Sequence, residues 1–186
     1  MGKTYTLNVA GLSRSLPLVP ISDDMQIASF VILGDVELTV RCAAELARRA
    51  PDFDLLITAE AKGIPLVHEI ARQLGMKTYL IARKSVKVYM KEPCSMQVSS
   101  ITTSGEQRLY LDKAEMDGMK GKRVLVVDDV VSTGESLKAI RNLVELSGGT
   151  VVACMAILAE GDAKERSDVV FLEELPLFDK NGDPIG

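Results

Sequence analysis

RVLVVDDVVSTGES, at residues 123–136, is the stretch that decides the fold of this chain. Residues 124–127 are four consecutive aliphatic residues, which predict a strand buried on both faces, as in a parallel sheet. Two aspartates and a turn of small, hydroxyl-bearing residues follow. Apolar residues then recur at helical spacing, at Leu137, Ile140, Leu143 and Val144. The stretch therefore predicts a strand, a turn and a helix in succession.

The predicted junction between strand and helix favours a bound anion, because the first N–H groups of a helix have no partner within it. Ser132, Thr133 and Ser136 carry hydroxyls that can donate to phosphate oxygens. Asp128 and Asp129 would repel a phosphate placed beside them, so they favour a neutral partner such as a ribose diol, with a divalent cation nearby. Together these residues predict a site for a sugar phosphate.

An ordinary helix start is the alternative interpretation of this stretch. Ser132 and Glu135 have the S-x-x-E spacing of a capping box, in which case Asp128 and Asp129 would only end a strand. Two adjacent carboxylates at the carboxyl end of a buried strand, where open α/β sheets bind ligands, favour the sugar-phosphate site instead. The glycines match neither the P-loop nor the dinucleotide-binding pattern.

The stretch resembles the signature with which type I phosphoribosyltransferases bind 5-phosphoribosyl-1-pyrophosphate. The resemblance implies that Asp128 and Asp129 hold the ribose hydroxyls and that residues 131–136 surround the 5-phosphate. Glu135 departs from the family pattern, in which a second glycine is common. The resemblance covers about residues 30–178 and is closest to the adenine phosphoribosyltransferases in layout.

TAEAKGIPL, at residues 58–66, resembles the loop in which this family binds pyrophosphate through backbone amides and one basic side chain. A strand is predicted at 53–58 and a helix at 64–74, so the loop joins the two. Lys62 has the position of the basic side chain. The resemblance therefore implies that Lys62 holds the leaving group.

A basic cluster follows the strand predicted at 78–82. Arg83, Lys84, Lys87 and Lys91 lie close together in sequence, and a solvated loop is the ordinary interpretation of such a cluster. In the adenine-type members of the family, an R-K pair at this place contacts pyrophosphate across a dimer interface. The resemblance thus implies that Arg83 and Lys84 reach a neighbouring subunit and that the protein is a homodimer.

The order of these segments predicts an α/β fold with a doubly wound, mainly parallel sheet in a single domain. Further core elements are expected at 123–127 and 151–158 as strands and at 135–147 as a helix. The expected regions are an N-terminal arm or hood at 1–33, a core at 34–160 with a flap hairpin at about 84–112, and a C-terminal hood or tail at 161–186.

Composition narrows the classes of function. The net charge of −4 argues against broad nucleic-acid binding. No apolar run is long enough to cross a bilayer and the N-terminus lacks a signal-peptide pattern, so no membrane association is expected. Three scattered cysteines predict reduced thiols rather than a zinc site. We therefore expect a cytoplasmic protein.

The resemblance implies transfer of the phosphoribosyl group from 5-phosphoribosyl-1-pyrophosphate to a nucleobase, with Mg²⁺ held mainly by the substrate and lying near Asp128 and Asp129. The residues implied in catalysis are Asp128, Asp129, Lys62 and Arg83. The residues implied in donor binding are Glu60, Ala61, Lys62, Gly63, Arg83, Lys84, Lys87, Asp128, Asp129, Val130, Val131, Ser132, Thr133, Gly134, Glu135 and Ser136.

Adenine is the first acceptor expected, in nucleotide salvage. The flap departs from the adenine enzymes, because the stretch at 99–105 lacks the acid that assists the base there. This flap is similar to those of the purine repressor and the xanthine phosphoribosyltransferases, so another base, or a non-catalytic sensor of the donor, is the alternative. His68, the single histidine, is expected to have a structural or surface role.

Overall fold

The computed structural model describes residues 2–98 and 107–185. The helices are α1 (Val36–Arg49), α2 (Gly63–Gln73), α3 (Lys113–Met119) and α4 (Glu135–Leu146), with a 3₁₀ turn at Gly161–Glu165. The strands are β1 (Thr4–Val9), β2 (Leu12–Pro20), β3 (Met25–Ala28), β4 (Leu55–Ala59), β5 (Leu80–Ala82), β6 (Pro93–Val98), β7 (Gln107–Asp112), β8 (Arg123–Val131), β9 (Thr150–Glu160), β10 (Val169–Leu175), β11 (Leu177–Asp179) and β12 (Pro184–Ile185).

The core is a parallel sheet with the strand order β10-β9-β8-β4-β5. Along β8, Leu125 and Val127 pack in a cluster with α1 and α2, whereas Val124 and Val126 pack in a second cluster with α4. All four side chains are at most 1% exposed, as expected for a strand covered on both faces. The predicted α/β fold with a doubly wound, mainly parallel sheet is confirmed.

A second, antiparallel sheet forms a hood, which we define as β1, β2, β3, β11 and β12. Its first hairpin turns at Ala10 and Gly11, whose φ values of 52° and 76° are those of a tight two-residue turn. Phe178 of β11 is 2% exposed and lies 5.2 Å from Tyr5, ring centre to ring centre. The two ends of the chain are thereby joined in one sheet.

Three elements differ from the expectation. β8 continues through the acid pair to Val131, because its pairing with β9 extends to Val131 and Ala159. β10 pairs with β9 in the core sheet, although it lies in the region expected as hood or tail. The helix α3 was not predicted, although Asp112 and Glu115 form a capping box at its start.

The β6–β7 hairpin occupies the region predicted as a flap. Its base is joined to the end of β5, because Arg83 and Tyr110 exchange two backbone hydrogen bonds of 2.8 Å. This pairing fixes the backbone of Arg83 beside the hairpin. The hairpin turn expected at 103–106 lies outside the described residues.

Cys42 and Cys154 are buried, Cys94 is half-buried, and all three are free thiols. Among the helices at 2–98 and 107–185, none has the length and hydropathy needed to span a bilayer.

Candidate active site

Four loops meet at the carboxyl edge of the core sheet, where open α/β sheets bind their ligands. They follow β4, β5, β8 and β9, which are neighbours in the sheet. The loops begin at Glu60, Arg83, Ser132 and Gly161 respectively. The sheet therefore brings the predicted sugar-phosphate and pyrophosphate segments to one edge.

The loop between β8 and α4 forms a cradle of about 140 Å³. Its lining consists of Asp128, Val130, Val131, Ser132, Thr133, Gly134, Glu135, Ser136 and Leu137. Val131 is buried, whereas Ser132 and Thr133 are exposed, so the valine supports the loop while the next two residues are open to solvent. The cradle contains residues 130–136, all of which were predicted to bind the donor.

The start of α4 differs from a capping box. Gly134 is the N-cap residue, has a φ of 79° and makes no side-chain cap hydrogen bond. Glu135 is consequently the first residue of the helix, whereas a capping box would place it third. Because no side chain caps α4, its first N–H groups are left for an anion in the cradle.

The two aspartates differ in their surroundings. Asp128 is half-buried and lines the cradle, and its Oδ1 accepts a 2.9 Å hydrogen bond from the backbone N–H of Asp129. Asp129 is 5% exposed, and its Oδ2 lies 3.1 Å from Lys62 Nζ. That oxygen has no hydrogen-bond donor among the described residues, so Lys62 balances its charge without satisfying it geometrically.

Burial raises the pKa of Asp128, and the charge of Asp129 raises it further. Lys62 opposes this shift. A raised carboxyl pKa means that the site disfavours a second bare negative charge. Hydroxyl donors or a nearby cation would stabilise the ionised form of Asp128.

Glu160 is a third acid at this edge and was missing from the predicted residues. It ends β9, is half-buried, and burial raises its pKa, while a hydrogen bond from Ser132 and the charge of Lys62 lower it. The sequence carried a weaker signal, because Glu160 lies two residues after the strand predicted at 151–158, whereas the aspartates directly follow theirs. The negative charge at the sheet edge is therefore greater than the sequence indicated.

The segment 60–63 forms the loop between β4 and α2. Lys62 directs its ammonium to Asp129 and also lies 3.4 Å from the backbone carbonyl of Phe30 in the chain leading out of the hood. Gly63 is buried and its α-carbon lies against β4, because a β-carbon built there would be 2.0 Å from Thr58 Oγ1. Ala61 is exposed at the tip of the loop.

Glu60 organises the basic cluster after β5. Its Oε2 accepts a 2.9 Å hydrogen bond from the backbone N–H of Lys84, and its Oε1 lies 3.2 Å from Lys87 Nζ. The Lys84 N–H contributes most to the lowered pKa of Glu60. Glu60 was predicted to bind the donor, which stays a prediction; its carboxylate faces this loop and holds it in place. The side chain of Lys84 itself is exposed.

The structure thus places Lys62 and Gly63 beside the acid pair, and Arg83, Lys84 and Lys87 beside Glu60. Within residues 2–98 and 107–185, no group of three or more His, Cys, Asp or Glu side chains is arranged to hold a metal ion. His68 is exposed, with Nδ1 3.5 Å from the Tyr79 hydroxyl.

Comparison with known proteins decides the family. The sequence model of the phosphoribosyl transferase domain matches residues 38–184. The chain belongs to the phosphoribosyltransferase family. A hypoxanthine/guanine phosphoribosyltransferase of Methanococcus voltae is 31% identical over 147 residues, which is 79% of this chain and 72% of that protein.

Solved structures of phosphoribosyltransferases share the fold. The adenine phosphoribosyltransferase of Thermoanaerobacter pseudethanolicus has a TM-score of 0.69 at 23% identity, covering 86% of this chain and 95% of its own. That of Trypanosoma brucei, solved with AMP, pyrophosphate and ribose-5-phosphate, has a TM-score of 0.63 at 21% identity, covering 77% and 67%. The predicted resemblance to type I phosphoribosyltransferases is confirmed.

We expect Gly63→Ala to destabilise this phosphoribosyltransferase by about 1–3 kcal/mol, because the new methyl overlaps Thr58 and also approaches Asp128. Thr58→Ala should restore part of the loss by removing the hydroxyl that the methyl meets. Gly118→Ala is the matched control, since it lies in α3 with no atom within 4 Å of an added β-carbon. Urea unfolding measures all three, and equal stability of Gly63→Ala and the wild type would contradict the close contact.

Proposed function

We propose that this protein transfers the 5-phosphoribosyl group from 5-phosphoribosyl-1-pyrophosphate to a purine base, in nucleotide salvage. The bond from C1 of the ribose to the pyrophosphate oxygen breaks, and its electron pair leaves with pyrophosphate. A ring nitrogen of the purine forms the new bond to C1 and loses its proton. The observation that carries the proposal is the convergence of the cradle, the acid pair and Lys62 at one sheet edge.

The candidate residues form two groups, one for each half of the donor. The hydroxyls of Ser132, Thr133 and Ser136 and the N–H groups of α4 suit the 5-phosphate, and Asp128 with Asp129 suits the ribose hydroxyls. Lys62, Arg83, Lys84 and Lys87 supply positive charge for the pyrophosphate. We propose Lys62 and Arg83 as the groups that stabilise the leaving pyrophosphate.

Catalysis in this proposal depends on positioning and charge. The breaking bond leaves positive charge on the ribose and adds negative charge to the pyrophosphate. In this proposal the acids face the ribose and the cations face the pyrophosphate. The β6–β7 hairpin, joined to Arg83, is proposed to cover the reacting atoms and exclude water, which would otherwise hydrolyse the ribosyl cation.

Magnesium fits this site as a partner of the substrate. Among the described residues no three acids, histidines or cysteines are arranged to hold a metal ion by themselves, but Asp129 Oδ2 is buried without a hydrogen-bond donor and Asp128 lines the cradle. We propose that these two acids face the hydrated ion. When bound, Mg²⁺ neutralises part of the pyrophosphate charge.

The identity of the acceptor base is a more specific part of the proposal. We take hypoxanthine and guanine as the first candidates, because the relative from Methanococcus voltae, similar over most of the chain, carries that name. Adenine is supported by the layout of the motifs, whereas the likeness to the adenine enzymes in structure shows the fold alone. The proposed surroundings, a cytoplasmic salvage reaction, are the same for either base.

The function is tested by mixing the protein with Mg²⁺, 5-phosphoribosyl-1-pyrophosphate and one base at a time from hypoxanthine, guanine, adenine, xanthine and uracil. We expect release of pyrophosphate and formation of the nucleotide with a purine, measured by a coupled assay and by chromatography. Binding of the donor by calorimetry without release for any base would overturn the enzyme and favour a sensor.

Asp128→Asn combined with Asp129→Asn should raise the Kd for the donor at least about 100-fold, since two charge-assisted hydrogen bonds to the ribose are lost. The fold should persist because both replacements keep the side-chain shape. Asp23→Asn with Asp24→Asn is the matched control, an adjacent acid pair in the exposed turn between β2 and β3. Calorimetry and thermal melting measure both variants, and unchanged donor affinity would refute the ribose assignment.

A homodimer is proposed as the functional unit. The loop carrying Arg83 and Lys84 also exposes Val86, Val88 and Tyr89, with more than half of each side chain open to solvent. Apolar side chains beside functional cations suit burial against a second subunit. In this proposal Arg83 and Lys84 act on the neighbouring site.

Subunit complementation tests this arrangement. We expect coexpression of Arg83→Ala/Lys84→Ala with Asp128→Asn/Asp129→Asn to restore about a quarter of wild-type activity, because half of the dimers are mixed and each has one intact site. Each variant alone should be inactive. If the cations act within their own subunit, mixed dimers contain no intact site, and activity stays at background.

A further inference from the structure

Arg166 contacts the loop between β8 and α4, which we call the phosphate loop, from outside the cradle. A β-carbon built on Gly134 would lie 2.2 Å from Arg166 Nη1 and 2.9 Å from Cζ, so the guanidinium rests directly on the glycine. Gly134 has a positive φ and is the N-cap residue of α4. The contact therefore falls on the residue that aims the first N–H groups of the helix.

The guanidinium is held in this position by its own partners. Nε and Nη2 of Arg166 donate to the two carboxylate oxygens of Asp168, at 3.0 and 2.9 Å. Arg141, two turns into α4, donates to the same carboxylate at 3.1 Å. Asp168 thus links the segment after β9 to the helix that follows the phosphate loop.

The third nitrogen of Arg166 is the one that faces the loop. Among the described contacts its Nη1 makes no hydrogen bond, whereas the other two nitrogens are used by Asp168. Arg166 is about one-third exposed, so its charge is only partly screened by water. A cation beside an uncapped helix start reinforces the positive potential that attracts a phosphate.

We propose that Arg166 is a positioning residue that holds Gly134 and the start of α4 in the conformation that accepts the 5-phosphate. Asp168 and Arg141 keep its guanidinium against the loop. The proposal rests on the proposed function for the identity of the phosphate, but the bracing of the loop is a property of the protein alone. Neither residue 166 nor residue 168 was among the predicted site residues.

The first test removes both the charge and the planar guanidinium group of Arg166. Arg166→Met should raise the KM for 5-phosphoribosyl-1-pyrophosphate about tenfold and leave the KM for the purine unchanged, because Gly134 and the start of α4 would no longer be held in the conformation that accepts the phosphate. Arg166→Lys should restore little, because an ammonium cannot bind Asp168 with two parallel bonds and also face Gly134. Arg48→Met is the control, an exposed arginine paired with Glu45 on α1.

A second measurement needs no substrate. Amide hydrogen exchange at residues 133–137 should be at least about fivefold faster in Arg166→Met than in the wild type, with no change in α1. This readout separates the two proposals, since it can succeed even if no base is accepted. Unchanged exchange together with an unchanged KM or Kd for the donor would overturn the positioning role.

A double-mutant cycle tests the contact itself. Gly134→Ala is expected to displace the guanidinium, so adding Arg166→Met to it should weaken donor binding less than Arg166→Met does in the wild type. If the fold-change in donor Kd of the double variant equals the product of the two single-variant fold-changes, the two residues act independently, which would contradict the proposed contact.

Discussion

The site depends on the parallel pairing of β8 with β4 on one side and β9 on the other. Parallel strands place their carboxyl ends at one edge of a sheet. The pairing of these three strands therefore brings the loops that follow them together. The pairing of β8 with β9 continues through Val131 and Ala159, so the acid pair lies within the paired part of β8 rather than in the loop after it. A strand that ended at residue 127 would leave the carboxylates in a loop with no fixed orientation. The rigidity of the sheet is thus transmitted to the acids by backbone hydrogen bonds.

Charge balance is the second constraint on this edge. Asp128, Asp129 and Glu160 bring three carboxylates together, and a site for a polyanionic donor must offset them. Lys62 does so for Asp129, and burial shifts the pKa of Asp128 and of Glu160 upward. The basic cluster at 83–87 is held by Glu60, whose carboxylate accepts a hydrogen bond from the backbone N–H of Lys84. In the proposed function Lys62 serves the acids of its own subunit, whereas Arg83 and Lys84 bring positive charge to the pyrophosphate bound in the neighbouring subunit.

The sequence predicted the core of the fold because a strand covered on both faces needs an unbroken aliphatic run, as at 124–127, and few other structures need one. The prediction from sequence was wrong or incomplete where an element is stabilised by residues that are distant in the sequence. The end of β8 was placed too early because aspartates are rare in strands, while the pairing with β9 overrides that preference. The hood strands have one exposed face, and their partners come from the opposite end of the chain, so local pattern alone could not pair them. Glu160 was recoverable by the same argument as the aspartates. The contact of Arg166 with Gly134 was not, because it joins two loops whose relation only the folded chain defines.

Lys62 connects the parts of the site that the sequence presents separately. It belongs to the loop after β4, its ammonium lies 3.1 Å from Asp129 Oδ2 after the central strand, and it lies 3.4 Å from the carbonyl of Phe30 next to the hood. In the proposed reaction, pyrophosphate and Asp129 compete for this one cation. Binding the leaving group would draw Lys62 away from Asp129 and leave that carboxylate free to accept from a ribose hydroxyl. The two halves of the donor are then coupled through a single side chain, because filling the pyrophosphate half releases the acceptor that the ribose half needs.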